Sequence, residues 1–207
     1  MIALRVLRIA VVVVCLGGVG CAMSPPPADA FYRLEARSGP GAGGEPVLPG
    51  ILEVGAFRAD PLTGGRAMVF RVDDGSVEVR RHAYSYWVDA PANMLQLELA
   101  GYLRDAGVAS LVITPGMRVI ADNSLSGTVR RLERIQGPTP HVLVELEFTL
   151  VNRESRALEL QKSYRGEISA SSDSVESAVE AYSRALDSIF VRLVDDLRKT
   201  RTADRNR

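Results

Sequence analysis

Two histidines, two cysteines and a few adjacent carboxylates are the residues of this chain whose types suit chemistry. A general base would have to be His82 or His141, because imidazole is the side chain that exchanges protons near neutral pH. A hydrolytic triad also needs a serine on a strained turn, and no Gly-x-Ser-x-Gly occurs. His82 falls inside a strand-like run and His141 opens another just after Pro138-Thr139-Pro140, so both read as strand imidazoles. Asp73-Asp74 and Asp195-Asp196 are neighbours in sequence. In a turn or on a helix such neighbours are solvated and do not converge on one metal ion or one substrate atom. Two cysteines and two histidines are too few for a zinc site built from several such ligands, or for a disulfide framework. The glycine-rich stretch 38–46 lacks both the Gly-Lys-Ser/Thr ending of a P-loop and the Gly-x-Gly-x-x-Gly spacing, which makes it a linker. The expectation is a chain without enzymatic activity, metal or cofactor.

Cys21 has another meaning. Arg5 and Arg8 precede an apolar run from Ile9 to Leu16, and small residues Gly17, Gly18, Val19 and Gly20 lead directly to Cys21. A basic start, a short apolar stretch and small residues form a signal peptide, and the run is shorter than the roughly 20 residues that cross a bilayer. Pro25-Pro26-Pro27 follows as a tether. The boundary resembles a bacterial lipobox with Cys21 as the lipidated first residue, although Gly18 stands where leucine is usual. A plain secretory signal cut near Ala22 or Ala28 is the alternative. Residues 1–20 are thus read as signal peptide, 21–30 as lipidated cysteine and tether, 31–199 as one folded domain and 200–207 as a basic tail.

A domain is needed to position anything further. The chain has 207 residues with 25 Lys and Arg against 25 Asp and Glu, so no net field attracts nucleic acid. An apolar share of 46% and a charged share of 24% are those of a globular chain. Strands are expected over 31–36, 51–58, 67–72 and 76–87, the last entered through an Asp73-Asp74-Gly75 turn. Pro91 opens a helix with its stripe at Leu95, Leu99, Tyr102 and Leu103, closed by Gly107. Short apolar runs at 111–113 and 117–120 bracket Pro115-Gly116. A long strand from Leu125 slips phase at Arg130-Arg131-Leu132, which suggests a bulge. Val142 to Leu150 alternates most clearly, with Glu145 and Glu147 on its wet or partner-facing side, and 158–168 continues as an antiparallel neighbour. Asp173 with Glu176 reads as the capping pair of a final helix carrying Val175, Val179, Tyr182, Leu186, Ile189, Phe190, Leu193 and Leu197. The expected fold is α+β: a mostly antiparallel sheet with two amphipathic helices packed on it, as a single layered domain.

In the strand 76–87, strict alternation sends Val77, Val79, Ala83 and Trp87 one way and Arg80, His82, Tyr84 and Tyr86 the other. Arginine and tyrosine concentrated on one face suit a protein interface; the alternative is a helix-covered face with the tyrosines in the core.

Placed in order, Tyr32-Arg33-Leu34 after the lipobox and Tyr84-Ser85-Tyr86-Trp87-Val88-Asp89-Ala90-Pro91 leading into Leu95 and Leu99 resemble the ABC-type transport auxiliary lipoprotein family, the PqiC-like proteins. Ala121-Asp122, Leu125-x-Gly127 and Leu132-Glu133 are similar to that family's middle strand, and Ala178-x-x-x-Tyr182-x-x-Ala185-Leu186 to its last helix. The resemblance implies an outer-membrane lipoprotein facing the periplasm. It further implies an accessory role in an MCE/ABC-type intermembrane lipid transport system, with an MCE-domain protein as partner and a homo-oligomeric ring as assembly. A structural envelope lipoprotein or a soluble periplasmic binding module is the alternative.

Overall fold

The strands form where alternation lets one side of the backbone be buried, and a single long strand organises the rest. A computed structural model describes residues 25–36 and 45–205. The segment read as a signal peptide, Cys21 and most of the glycine-rich stretch lie outside the described residues. Nine strands and two helices follow in the order β1 (Ala30–Tyr32), β2 (Leu48–Val54), β3 (Arg58–Ala59), β4 (Ala67–Arg71), β5 (Arg80–Trp87), α1 (Pro91–Asp105), β6 (Ala109–Ile113), β7 (Asn123–Ile135), β8 (His141–Asn152), β9 (Leu158–Ser169) and α2 (Val175–Arg205).

The spine is β7. Along one edge it pairs antiparallel with β8 over its whole length, and β8 pairs antiparallel with β9. Along the other edge it receives β2, β3 and β4 in succession, all parallel. Beyond β2 lies β6, parallel, and beyond β4 come β5, antiparallel, and β1, parallel to β5. The sheet is therefore mixed, which corrects the expectation of a mostly antiparallel one. Alternation reports which faces are buried but carries no information on strand direction. Only β4–β5, β7–β8 and β8–β9 are joined by turns short enough to force antiparallel pairing, whereas the other pairs meet after long excursions.

The expected phase slip in β7 is a bulge. Val129 opposes Leu146 and Arg131 opposes Glu145, leaving Arg130 as the extra residue. The insertion returns Leu132 to the inward face, so Val129 and Leu132 are both buried. Nearby, Gly127 makes room for an aromatic ring: a Cβ there would sit 2.6 Å from the Phe57 ring, which lies across the strand and meets Phe148 edge-on at 5.9 Å.

The helices close the inward face. On α1, Pro91, Met94, Leu95, Leu99, Tyr102 and Leu103 are buried. Its end is a Schellman motif, with Val108 N–H donating to Leu103 C=O, Gly107 N–H to Arg104 C=O, and Gly107 at φ +61. On α2, Ala178, Tyr182, Leu186, Ile189, Phe190, Leu193 and Leu197 are buried. Trp87 packs edge-on against Tyr182 at 5.5 Å, and Tyr102 against Phe190 at 5.3 Å. Each such fully buried side chain contributes roughly 1.5–3 kcal/mol.

The start of α2 differs from the expected Asp173–Glu176 pair. Ser174 is the cap, its Oγ accepting from Ser177 N–H at 3.1 Å. Asp173 is drawn instead to Arg134 at 2.5 Å, and Glu176 accepts the Tyr32 hydroxyl at 2.7 Å. Both residues are taken by long-range partners invisible in a local pattern.

Candidate functional site

Strict alternation fails in β5, and with it the single face of Arg80, His82, Tyr84 and Tyr86. Ala67 opposes Tyr86 while Val69 opposes Arg81, so five steps on β5 match two on β4. The strand also begins at Arg80, not Ser76. The Arg71 guanidinium donates to the carbonyls of Asp74 and Ser76, which keeps the approach to β5 in a turn conformation.

Past this bulge the four residues separate. His82 lies with Phe70 at 4.5 Å between ring centres and its Nε2 accepts from Arg134 at 3.3 Å, on the helix side. Tyr86 stacks on Phe31 at 5.8 Å on the opposite side, its hydroxyl donating to Ala83 C=O at 2.5 Å. Side follows from the pleat: the next residues, Tyr32 and Trp87, reach α2 through Glu176 and Tyr182. Tyr84 is 41% exposed, and Arg80 is exposed and bidentate to Glu78. The tyrosines are thus not core residues. Phe31, exposed, with the Arg66 guanidinium over its ring at 5.4 Å, joins Tyr86 and was not singled out by the sequence reading. Trp87, Pro91, Leu95 and Leu99 are buried, and Gly127 sits under Phe57.

The histidines serve structure. Burial, and next the Arg134 guanidinium, hold His82 below the usual imidazole value; because a guanidinium only donates, Nε2 is the acceptor in that contact. Arg134 is itself buried, and its ion pair to Asp173 compensates the charge. His141 Nδ1 donates to Thr139 C=O at 2.9 Å, and Nε2 faces Asp74 at 3.2 Å and Glu167 at 3.7 Å. It joins the β4–β5 turn, the β7–β8 turn and β9. Among the described residues neither imidazole bonds a side-chain nucleophile, and no group of three or more His, Cys, Asp or Glu residues is arranged to hold a metal.

On the helix-free face of β7–β9, Glu147 takes Arg130 at 2.6 Å and Glu145 takes Arg131 at 3.8 Å. Hydrogen bonds from Arg130 and Gln161 hold the Glu147 carboxyl below the ordinary range. These charges are satisfied within the chain.

The tether approaches from a defined direction. Ala30 pairs with Ser85 and Tyr32 with Trp87 in parallel, and Val88 N–H donates to Tyr32 C=O at 2.9 Å. Burial and the Glu176 carboxylate push the Tyr32 phenol up to about 12. The first strand after the tether is thereby clamped between β5 and the start of α2. Among the described residues no helix is long and apolar enough to cross a membrane.

A family model for the ABC-type transport auxiliary lipoprotein component matches residues 32–194. The chain belongs to that family. These lipoproteins are transport auxiliaries and not a known family of enzymes. No curated protein matches the chain. Among solved structures, a DUF330-family protein from Xanthomonas campestris has the same fold, with TM-score 0.73 at 19% identity over 86% of this chain and 100% of its own. Another, titled an uncharacterized protein, aligns at TM-score 0.63 and 13% identity over 83% and 99%. A PelC dodecamer from Paraburkholderia phytofirmans follows at TM-score 0.44 and 17% identity over 78% and 92%, a likeness too remote to bear on assembly. The auxiliary lipoprotein fold thus presents a sheet edge at β1 beside β5, an ion-paired outer face, and a helix-covered core.

Proposed function

We propose that this auxiliary lipoprotein is held in the outer membrane by a lipid on Cys21, faces the periplasm, and serves an MCE/ABC-type intermembrane lipid transport system by docking its MCE-domain protein. It does no chemistry of its own; the partner ATPase supplies the energy, and lipid passes along the MCE assembly. The observation that carries this reading is the family match over residues 32–194. The clamp on β1 supports it, because a load on the tether reaches three backbone pairings and the Tyr32–Glu176 hydrogen bond before the core. The working form is a homo-oligomer, since a lipid conduit needs closure around an axis and repeated head-to-tail contacts provide it. The exposed Arg80 and Tyr84 and the half-buried Tyr86, with exposed Phe31 beside it, are candidate contacts; His82 acts behind them.

Fractionation tests the anchor. A Cys21→Ala chain leaves the membrane fraction and becomes soluble in the periplasm; persistence in membranes after a high-salt wash overturns lipid anchoring. Titrating the purified chain with the MCE-domain protein of the same system tests docking, and absence of a complex at micromolar concentrations overturns it.

A further inference from the structure

The connection from β6 to β7 crosses β2 in residues 114–122. Ile113 and Ala121, at its two ends, are buried but stand outside the main core. Ile113 opposes Glu53, while the adjacent Leu52 and Val112 point into the core, so the crossover lies on the helix-free face. It exposes Met117, Val119 and Ile120, the last at 90%. Leu111, exposed on the neighbouring edge strand, extends the patch.

Two exposed arginines belong to the same region. Arg118 sits within the crossover at φ 52, and Arg156 occupies the β8–β9 turn at φ 58. That turn is fastened to the crossover by Arg153 N–H donating to Asp122 C=O at 2.8 Å. Among the described residues neither Arg118 nor Arg156 forms an ion pair. Exposed apolar side chains grouped beside charged ones mark an interaction surface, and uncompensated guanidiniums select a partner bearing carboxylates.

The tether indicates which way this surface faces. Because β1 runs parallel to β5, which is antiparallel to β4, the residues before Ala30 approach from the end where β7 finishes. The crossover lies where β7 begins, and that strand is 13 residues long, about 40 Å from end to end. Nine steps separate Cys21 from Ala30, at most about 32 Å of extended chain. An anchor at Cys21 therefore attaches on the side of the domain where β7 finishes, and the crossover lies toward the opposite end.

We infer that the crossover, through Met117, Val119 and Ile120 with Arg118 and Arg156, is the surface that binds the periplasmic protein partner, by a segment offering apolar side chains flanked by carboxylates. This rests on the docking reading above. The test uses the full lipidated chain in detergent against the purified MCE-domain protein. The parent binds, and Met117→Asp with Ile120→Asp weakens binding by roughly 30-fold or more, the scale of a central contact. Arg118→Glu with Arg156→Glu weakens it by about tenfold or more, and more so at low salt. All four residues lie at the surface, and circular dichroism verifies the fold. If the parent binds and both double variants bind equally well, the crossover is not the surface while docking stands. If the parent does not bind, docking fails and this inference with it. A Cys21→Ala background supplies two further arms. If the aspartates abolish sedimentation with phosphatidylethanolamine–phosphatidylglycerol vesicles while sparing the MCE-domain protein, the patch is a membrane surface. If they convert a cross-linked oligomer to monomer and spare it, the patch is a contact between copies. Either result overturns the inference.

Discussion

Replacing Gly127 by alanine probes how the spine accepts the aromatic side chain laid across it. The new Cβ would lie 2.6 Å from two Phe57 ring atoms and 2.7 Å from a third, about 1 Å inside the optimal carbon–carbon separation. The ring has little freedom to retreat, because it is buried and meets Phe148, the cross-strand partner of Gly127. If the ring stays, the strain is that of overpacking, ~1–3 kcal/mol. If it leaves, the loss approaches that of deleting a buried aromatic, ~3–5 kcal/mol. The expected destabilisation is therefore ~2–3 kcal/mol. Urea unfolding read by Trp87, the only tryptophan and a buried one, measures it. Phe57→Ala alone destabilises by ~3 kcal/mol or more. In the double variant the alanine at 127 occupies space the ring has vacated, so the total stays close to that of Phe57→Ala and the coupling reaches ~2 kcal/mol. Additivity within about 0.5 kcal/mol refutes the reasoning.

Asp173→Ala leaves the Arg134 guanidinium, with its side chain 7% exposed, without its carboxylate, and destabilises by ~3 kcal/mol in denaturant unfolding. Arg134→Met destabilises less, since the residual Asp173 carboxylate reaches water; the reverse order contradicts the assignment of Arg134 as the buried partner. Asp196 is held below the usual carboxylate value, first by the Lys162 hydrogen bond and then, against the opposing effect of burial, by Tyr164 and Lys199. Its folded value is lowered, so its stabilisation is present above the unfolded value of ~3.9 and is lost as pH falls through the folded value. Asp196→Asn accordingly flattens the dependence of stability on pH below about 4, measured by thermal unfolding across an acid series; an unchanged slope contradicts it.

Much of the architecture is legible in the residue order because it depends on local periodicity. The stripe of Leu95, Leu99 and Leu103, the glycine that closes α1, the phase slip at Arg130 and the alternation from Val142 to Leu150 all follow from burying one side of a regular backbone. The family is also carried by short motifs in order along the chain, because those residues occupy successive turns and core positions. What depends on partners distant in sequence is not legible. Strand direction, the bulge that sends His82 and Tyr86 to opposite sides, and the capture of Asp173 by Arg134 and of Glu176 by Tyr32 are decided only when β7 brings β2, β3, β4 and β8 together. The apolar run at 117–120 illustrates the same limit. By composition it resembles a buried strand, yet Met117, Val119 and Ile120 are exposed while Ile113 and Ala121, at the two ends of the crossover, are buried. Local periodicity thus determined which residues could share a face, and tertiary packing decided which of those faces were covered.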